Sequence, residues 1–135
     1  MKNGVRFNHI GPQFAVHDVS KSVGFYAAAL GFGLDFIDGD PPHYAVVFRD
    51  EVYIHLSHQE SQSVQPGGGR AFVAVSGVDE VWERARSEAP TSIVQPLEDL
   101  DYGQQVRFKV FAISDPAGNT LRIGEPLEST RCGDL

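Results

Sequence analysis

The segment FAVHDVSKSVGFYAAALGFG begins with alternating residues, after which the period changes. Val19, Val23, Tyr26 and Leu30 recur at helical spacing, so a strand leading into a helix is predicted. Asp18 stands where an N-cap is wanted, and Gly31 where the helix should end. The scheme returns in AFVAVSGVDEVWERARSEAP, where Val78, Val81, Trp82, Ala85 and Ala89 form a second stripe that Pro90 cannot continue. Ala15, Val16 and Val19 recur as Ala74, Val75 and Val78 at one constant offset, which reads as an internal repeat.

Strand signals follow each helix. GLDFID leads to HYAVVFRDEVYIHLS, two runs rich in Val, Tyr and Ile joined at Arg49-Asp50-Glu51. TSIVQP leads to VRFKVFAIS and NTLRIG, joined across Asp115-Pro116-Ala117-Gly118-Asn119, where proline presets one turn residue and Gly118 or Asn119 can take a positive φ. The polar, glycine-rich QESQSVQPGGGR has the composition of a linker. The expected organisation is one α+β domain over 1–135: a βαβββ module at about 7–58, a linker at 59–69, a second βαβββ module at about 70–125 and a polar tail at 127–135. Both helices are expected on one sheet face.

A chain of 135 residues suits one domain with a real core. No apolar run approaches the roughly 20 residues that span a bilayer, and MKNGVRFNHIG lacks the apolar core of a signal peptide. A soluble cytoplasmic protein with no membrane partner is expected. Cys132 is the one cysteine and sits in the polar tail, so no disulfide framework is expected. The net charge is −7 with no Lys/Arg-rich stretch, which disfavours a nucleic-acid partner. Cationic small ligands fit that balance better, although ordinary solubility accounts for it equally well.

The doubled βαβββ order, DVSKSVGFYAAALGFGLDF, the YAVVFRDEVYIHLS hairpin and DPAGNTLRIGEP together resemble the vicinal oxygen chelate superfamily, and within it the bleomycin resistance proteins. The resemblance runs from about Pro12 to Pro126. It implies curved mixed sheets that form a cleft, helices on their convex face, and a site commonly completed in a homodimer. Metal-dependent members place one His, Gln or Glu on the first and last strands of each module. The corresponding positions here are Gly11, His55, Arg70 and Arg122. Glycine has no side chain to offer, and a guanidinium carries its own charge and no available lone pair. No metal, no cofactor and no catalytic residue is therefore expected. A shifted register could bring in His9, which still leaves two protein ligands, His9 and His55, short of the three of a typical catalytic zinc site.

Alternation places Val52, Ile54 and Leu56 on one strand face and Tyr53, His55 and Ser57 on the other, and opposes Ala71, Val73 and Val75 to Arg70, Phe72 and Ala74. The apolar sets should pack beneath the helices and the mixed sets should line the cleft. Tyr102, in PLEDLDYGQQ, resembles the aromatic-glycine pair with which bleomycin resistance proteins hold flat heteroaromatic rings, and Tyr44 matches another aromatic position of that family. For Tyr44 and Phe72, ordinary packing is as good a reading as ligand contact. Asp38, Asp40, Glu60, Asp99 and Asp101 are expected in loops at the cleft mouth, with Asp99 and Asp101 beside Tyr102 as candidates for a cationic ligand. Arg70 is an awkward neighbour for such a ligand. The candidate ligand-binding set is Tyr44, His55, Arg70, Phe72, Asp99, Asp101, Tyr102 and Arg122. Three readings follow: a non-catalytic protein that sequesters a bleomycin-like or other flat aromatic drug, a metal-dependent lyase, isomerase or dioxygenase using His55 with His9 or Gln13, and a binder of an unrelated, acidic metabolite held by Arg70 and Arg122.

Overall fold

Asp18 and Gly31 bracket the first helix as the pattern requires. In the structure, a computed structural model that describes residues 4–58, 65–103 and 106–127, helix α1 spans Val19–Leu30. The Asp18 carboxylate accepts the Lys21 N–H at 3.0 Å, and Gly31 takes the left-handed conformation, φ 72°, that a residue without Cβ adopts freely. The last turn of α1 holds no basic residue, so its final carbonyls are met from outside. Arg84 of helix α2, Val78–Glu88, donates to Ala28 and Ala27 at 3.0 and 3.1 Å, and Arg49 donates to Leu30 at 2.8 Å. The start of α2 at Gly77 has no side-chain cap of its own; Glu125 accepts the Gly77 and Val78 N–H groups at 3.1 and 3.0 Å, putting negative charge at the positive helix end.

The strands form two sheets of one topology. β1 (Gln13–Val16), β2 (Gly33–Gly39), β3 (Pro42–Arg49) and β4 (Val52–His58) lie in the order β1-β4-β3-β2, and β5 (Arg70–Ala74), β6 (Ile93–Asp101), β7 (Arg107–Ser114) and β8 (Thr120–Pro126) in the order β5-β8-β7-β6. β1 runs parallel to β4 and β5 parallel to β8; the other neighbours are antiparallel. This is the repeat read from the sequence. Two details differ from it: Pro90 opens a short 3-10 turn, Pro90–Ser92, and β6 continues through Asp101, where a loop was expected. Glu60 and Cys132 lie outside the described residues.

Alternation sorts the sheets as expected. Ile54, Leu56, Leu121 and Ile123 are at most 3% exposed, and they join Tyr26, Leu30, Val78, Phe111 and Ile113 in one cluster to which both sheets and both helices contribute. Trp82 lies against Phe111 with ring centroids 5.2 Å apart. The modules thus share a core rather than each closing its own.

A buried polar network ties the seam. Tyr26 donates to Asp115 Oδ2 at 2.9 Å; Asp115 Oδ1 accepts the Ala117 and Asn119 N–H groups; Asn119 Nδ2 reaches the Ala15 carbonyl at 3.0 Å, and its Oδ1 accepts the Gly69 N–H at 2.8 Å. Burial, then the Asp115 charge and the hydrogen bond to it, hold the Tyr26 hydroxyl well above its usual pKa. The β7–β8 turn is therefore pinned to β1, to α1 and to the residue before β5, which fixes where β8 and Arg122 lie.

Candidate functional site

With the core faces turned to the helices, each sheet presents its other face outward, and both are aromatic. On the first sheet, Val46 is in register with His55, and Tyr44 with Ser57, so these side chains share a face. The Tyr44 hydroxyl meets His55 Nδ1, which engages one ring nitrogen of that imidazole. The Phe36 and Tyr44 rings lie 6.4 Å apart, Tyr44 and His55 5.8 Å, and Phe48 and Tyr53 5.8 Å in a stacked pair. His9 stacks on Tyr53 at 4.6 Å. The His55 ring rests against Gly11, where an added Cβ would meet its Cδ2 at 3.1 Å. Gly11 thus leaves room for the imidazole instead of sharing a ligand with it.

On the second sheet, Phe72 is in register with Arg122, and Arg70 with Thr120, while Leu100 pairs with Phe108. Phe72 and Phe108 meet edge to face at 5.8 Å, Tyr102 and Phe108 at 6.2 Å, and the Arg122 guanidinium carbon lies 5.8 Å from the Phe72 ring centre. Arg122 Nη2 also donates to the Tyr102 hydroxyl at 3.4 Å. Gly124 makes this packing fit, since a Cβ there would meet Phe72 Cζ at 3.0 Å and Val110 Cβ at 3.2 Å. Phe72 is 45% and Tyr102 58% exposed, large apolar surface left open to solvent.

The structure therefore brings Tyr44 to His55 and, separately, Phe72 and Tyr102 to Arg122. Among the described residues no hydrogen bond, ion pair or ring contact joins the first pair to the second group. The sheets border a common cavity of about 330 Å3, lined by His9 and Tyr53 from one side and Phe72 and Ala74 from the other. A larger cavity of about 380 Å3, beside the β3–β4 turn and α2, is lined by Phe32, Arg49, Val75 and Val81 and touches neither Tyr44 and His55 nor Tyr102 and Arg122. Arg70 is exposed at the start of β5, on the Phe72 side.

Asp99 and Asp101 stand apart from this grouping. They lie on strand β6, in register with Lys109 and Arg107, and so alternate to the side opposite Leu100 and Phe108. Asp99 pairs with Arg107 at 3.8 Å, and Asp101 accepts the Gly103 N–H at 2.8 Å. The loop expected to carry them to the cleft mouth is a strand that turns them away. Asp38, also expected in a loop, lies on β2 and pairs with His43 at 3.2 Å.

Phe36, Phe48 and Phe108 complete the aromatic faces but were not singled out in the sequence. The parity that grouped Tyr53 with His55 would have found Phe48 and Phe108 once the strand pairings were known. Among the described residues no group of three or more His, Cys, Asp or Glu could hold a metal ion.

Comparison with known proteins bears on this geometry. Residues 2–130 match a family model described as glyoxalase superfamily protein. A bleomycin resistance protein of Geobacillus stearothermophilus is 30% identical over 135 aligned residues, covering 87% of this chain and 96% of the relative. The crystal structure of a bleomycin-binding protein from bleomycin-producing Streptomyces verticillus, complexed with copper(II)-bleomycin, is 29% identical with a TM-score of 0.69, covering 89% of this chain and 97% of that one. A glyoxalase/bleomycin resistance protein/dioxygenase structure from Alicyclobacillus acidocaldarius, 13% identical, has a TM-score of 0.71 over 89% of this chain and 92% of that one, a likeness of fold alone.

Proposed function

Because the chain belongs to the glyoxalase (vicinal oxygen chelate) superfamily, we propose that it acts by sequestration: it binds a flat aromatic antibiotic, bleomycin-like or of another class, and withdraws it from its target without transforming it. The observation that carries this reading is the pair of aromatic faces, the part-buried Tyr44 with His55 and the exposed Phe72 and Tyr102 with Arg122. Stacking needs only a π face, and the half-exposed Phe72 and Tyr102, held by their neighbours, offer one with little ordering cost. Protection then depends on affinity and protein concentration.

The residues at the superfamily's metal positions do not fit a divalent ion. Gly11 has no donor, Arg70 and Arg122 are cations, and the His55 imidazole has one nitrogen committed to Tyr44.

A homodimer in the cytoplasm is part of the proposal. Val5, Phe7 and Ile10 are 91%, 94% and 88% exposed on the segment leading into β1, and Leu34, Phe36 and Ile37 are 42–49% exposed on outer strand β2. Apolar surface of this extent is what a second copy would cover. No helix among the described residues is long and apolar enough to cross a membrane.

Calorimetric titration with metal-free and copper-loaded bleomycin tests the drug assignment. Saturable heat with either form, and drug recovered unchanged, supports it. No heat with either removes bleomycin as the ligand.

A further inference from the structure

Arg122 is a cation set among aromatic rings, and among the described residues no carboxylate meets it. Among the described residues its contacts are the Tyr102 hydroxyl and the Phe72 ring. The neighbouring acids are engaged elsewhere. Asp99 pairs with Arg107, Asp101 holds the Gly103 N–H, Glu98 meets Gln95, Glu125 caps α2, and Asp115 is buried in the Tyr26 network. Lys109 of β7 is likewise matched, by Asp79 at 2.7 Å. Arg70 adds a second positive charge on the same strand face as Phe72.

A guanidinium carries five N–H donors in a planar fork, and the Tyr102 hydroxyl uses one of them. The free edge matches a carboxylate, and the rings beside it match a flat aromatic body. Resting on the aromatic-binding role proposed above, we propose that this half-site selects planar aromatic ligands bearing an anionic group, an aromatic carboxylate being the simplest. Arg122 takes the anion while Phe72 and Tyr102 take the ring. The net charge of −7 opposes an anion only at long range, and screening over about 8–10 Å leaves the local cation dominant. A cationic aromatic would instead bring its charge against Arg70 and Arg122.

The test compares anthracene-2-carboxylate with its neutral amide, by fluorescence titration of the full chain, with copper(II)-bleomycin titrated alongside. The carboxylate should bind about tenfold or more tightly than the amide, with its advantage shrinking as salt rises. Arg122→Gln should bring the two to equal affinity, and Arg122→Lys should restore part of the difference. Both variants should melt with the parent, because the side chain is not part of the core. Equal binding of acid and amide, or a preference that survives Arg122→Gln, overturns the inference and leaves aromatic binding standing. If neither anthracene binds while bleomycin does, the inference fails and the sequestration role holds. If none of the three binds, both fail.

Discussion

The Tyr26 hydroxyl is buried against the Asp115 carboxylate, so ionising it would set two negative charges in contact. Its folded-state pKa is raised above the unfolded value of about 10. The stabilisation is therefore complete below about pH 10 and is lost as pH climbs through the folded value. Unfolding free energy should fall from about pH 10 upward and level off once pH passes the folded value, and Tyr26→Phe should flatten that slope while costing about 1–3 kcal/mol at neutral pH. Denaturant titrations at stepped pH measure both; an unchanged alkaline slope would remove the network from the account. Asn119→Ala leaves the Gly69 N–H and the Ala15 carbonyl without their partner, and a loss of about 2–4 kcal/mol is expected from thermal or chemical unfolding. In the sequence, Asp115 and Asn119 were legible only as turn residues. Their partners Tyr26 and Ala15 lie 89 and 104 positions away, a distance that no local pattern bridges.

At the scale of elements, the period changes that marked α1 and α2 were reliable because each helix buries one stripe on the shared core. The faces of β4, β5 and β8 were legible for the same reason: one side of each strand is apolar. β6 was cut short because Pro96 and the acids after it lower strand propensity. It survives as an outer strand with register irregularities around Pro96, where a missing N–H and solvated carboxylates are tolerated. The same weak strand signal is why Asp99 and Asp101 read as loop residues in the sequence. Gly124 was silent in the sequence, since the need for it arises only when Phe72 crosses β8. Gly124→Ala should displace the Phe72 ring, cost about 1–3 kcal/mol by overpacking and weaken aromatic binding. Phe72→Ala removes a half-exposed ring, so binding should fall about tenfold or more while the fold persists. Titrations and melting curves on the same samples separate the two effects.

For the whole molecule, the repeat made the doubled fold legible, but not which sheet faces would meet. Reading strand by strand draws the cleft from both modules; in the structure Tyr44 and His55 lie on the first sheet, Phe72 and Arg122 on the second, and Tyr102 just past the end of β6. Parity says which side a residue faces and nothing of how two sheets are set against each other. The proposed homodimer answers the apolar surface of Val5, Phe7, Ile10 and β2, and deleting residues 1–10 should shift the sedimentation mass toward that of one chain. A chain that sediments alone with this segment intact would contradict the dimer. The central claim, that the outward aromatic faces hold a flat ligand without altering it, is tested most directly by calorimetric titration of the wild-type chain, Tyr44→Ala and Phe72→Ala with copper(II)-bleomycin, with the ligand recovered afterwards. The account predicts saturable binding by the wild type, weakened about tenfold or more by at least Phe72→Ala, and ligand returned unchanged. Binding that both substitutions leave intact, or a ligand returned chemically altered, would contradict it.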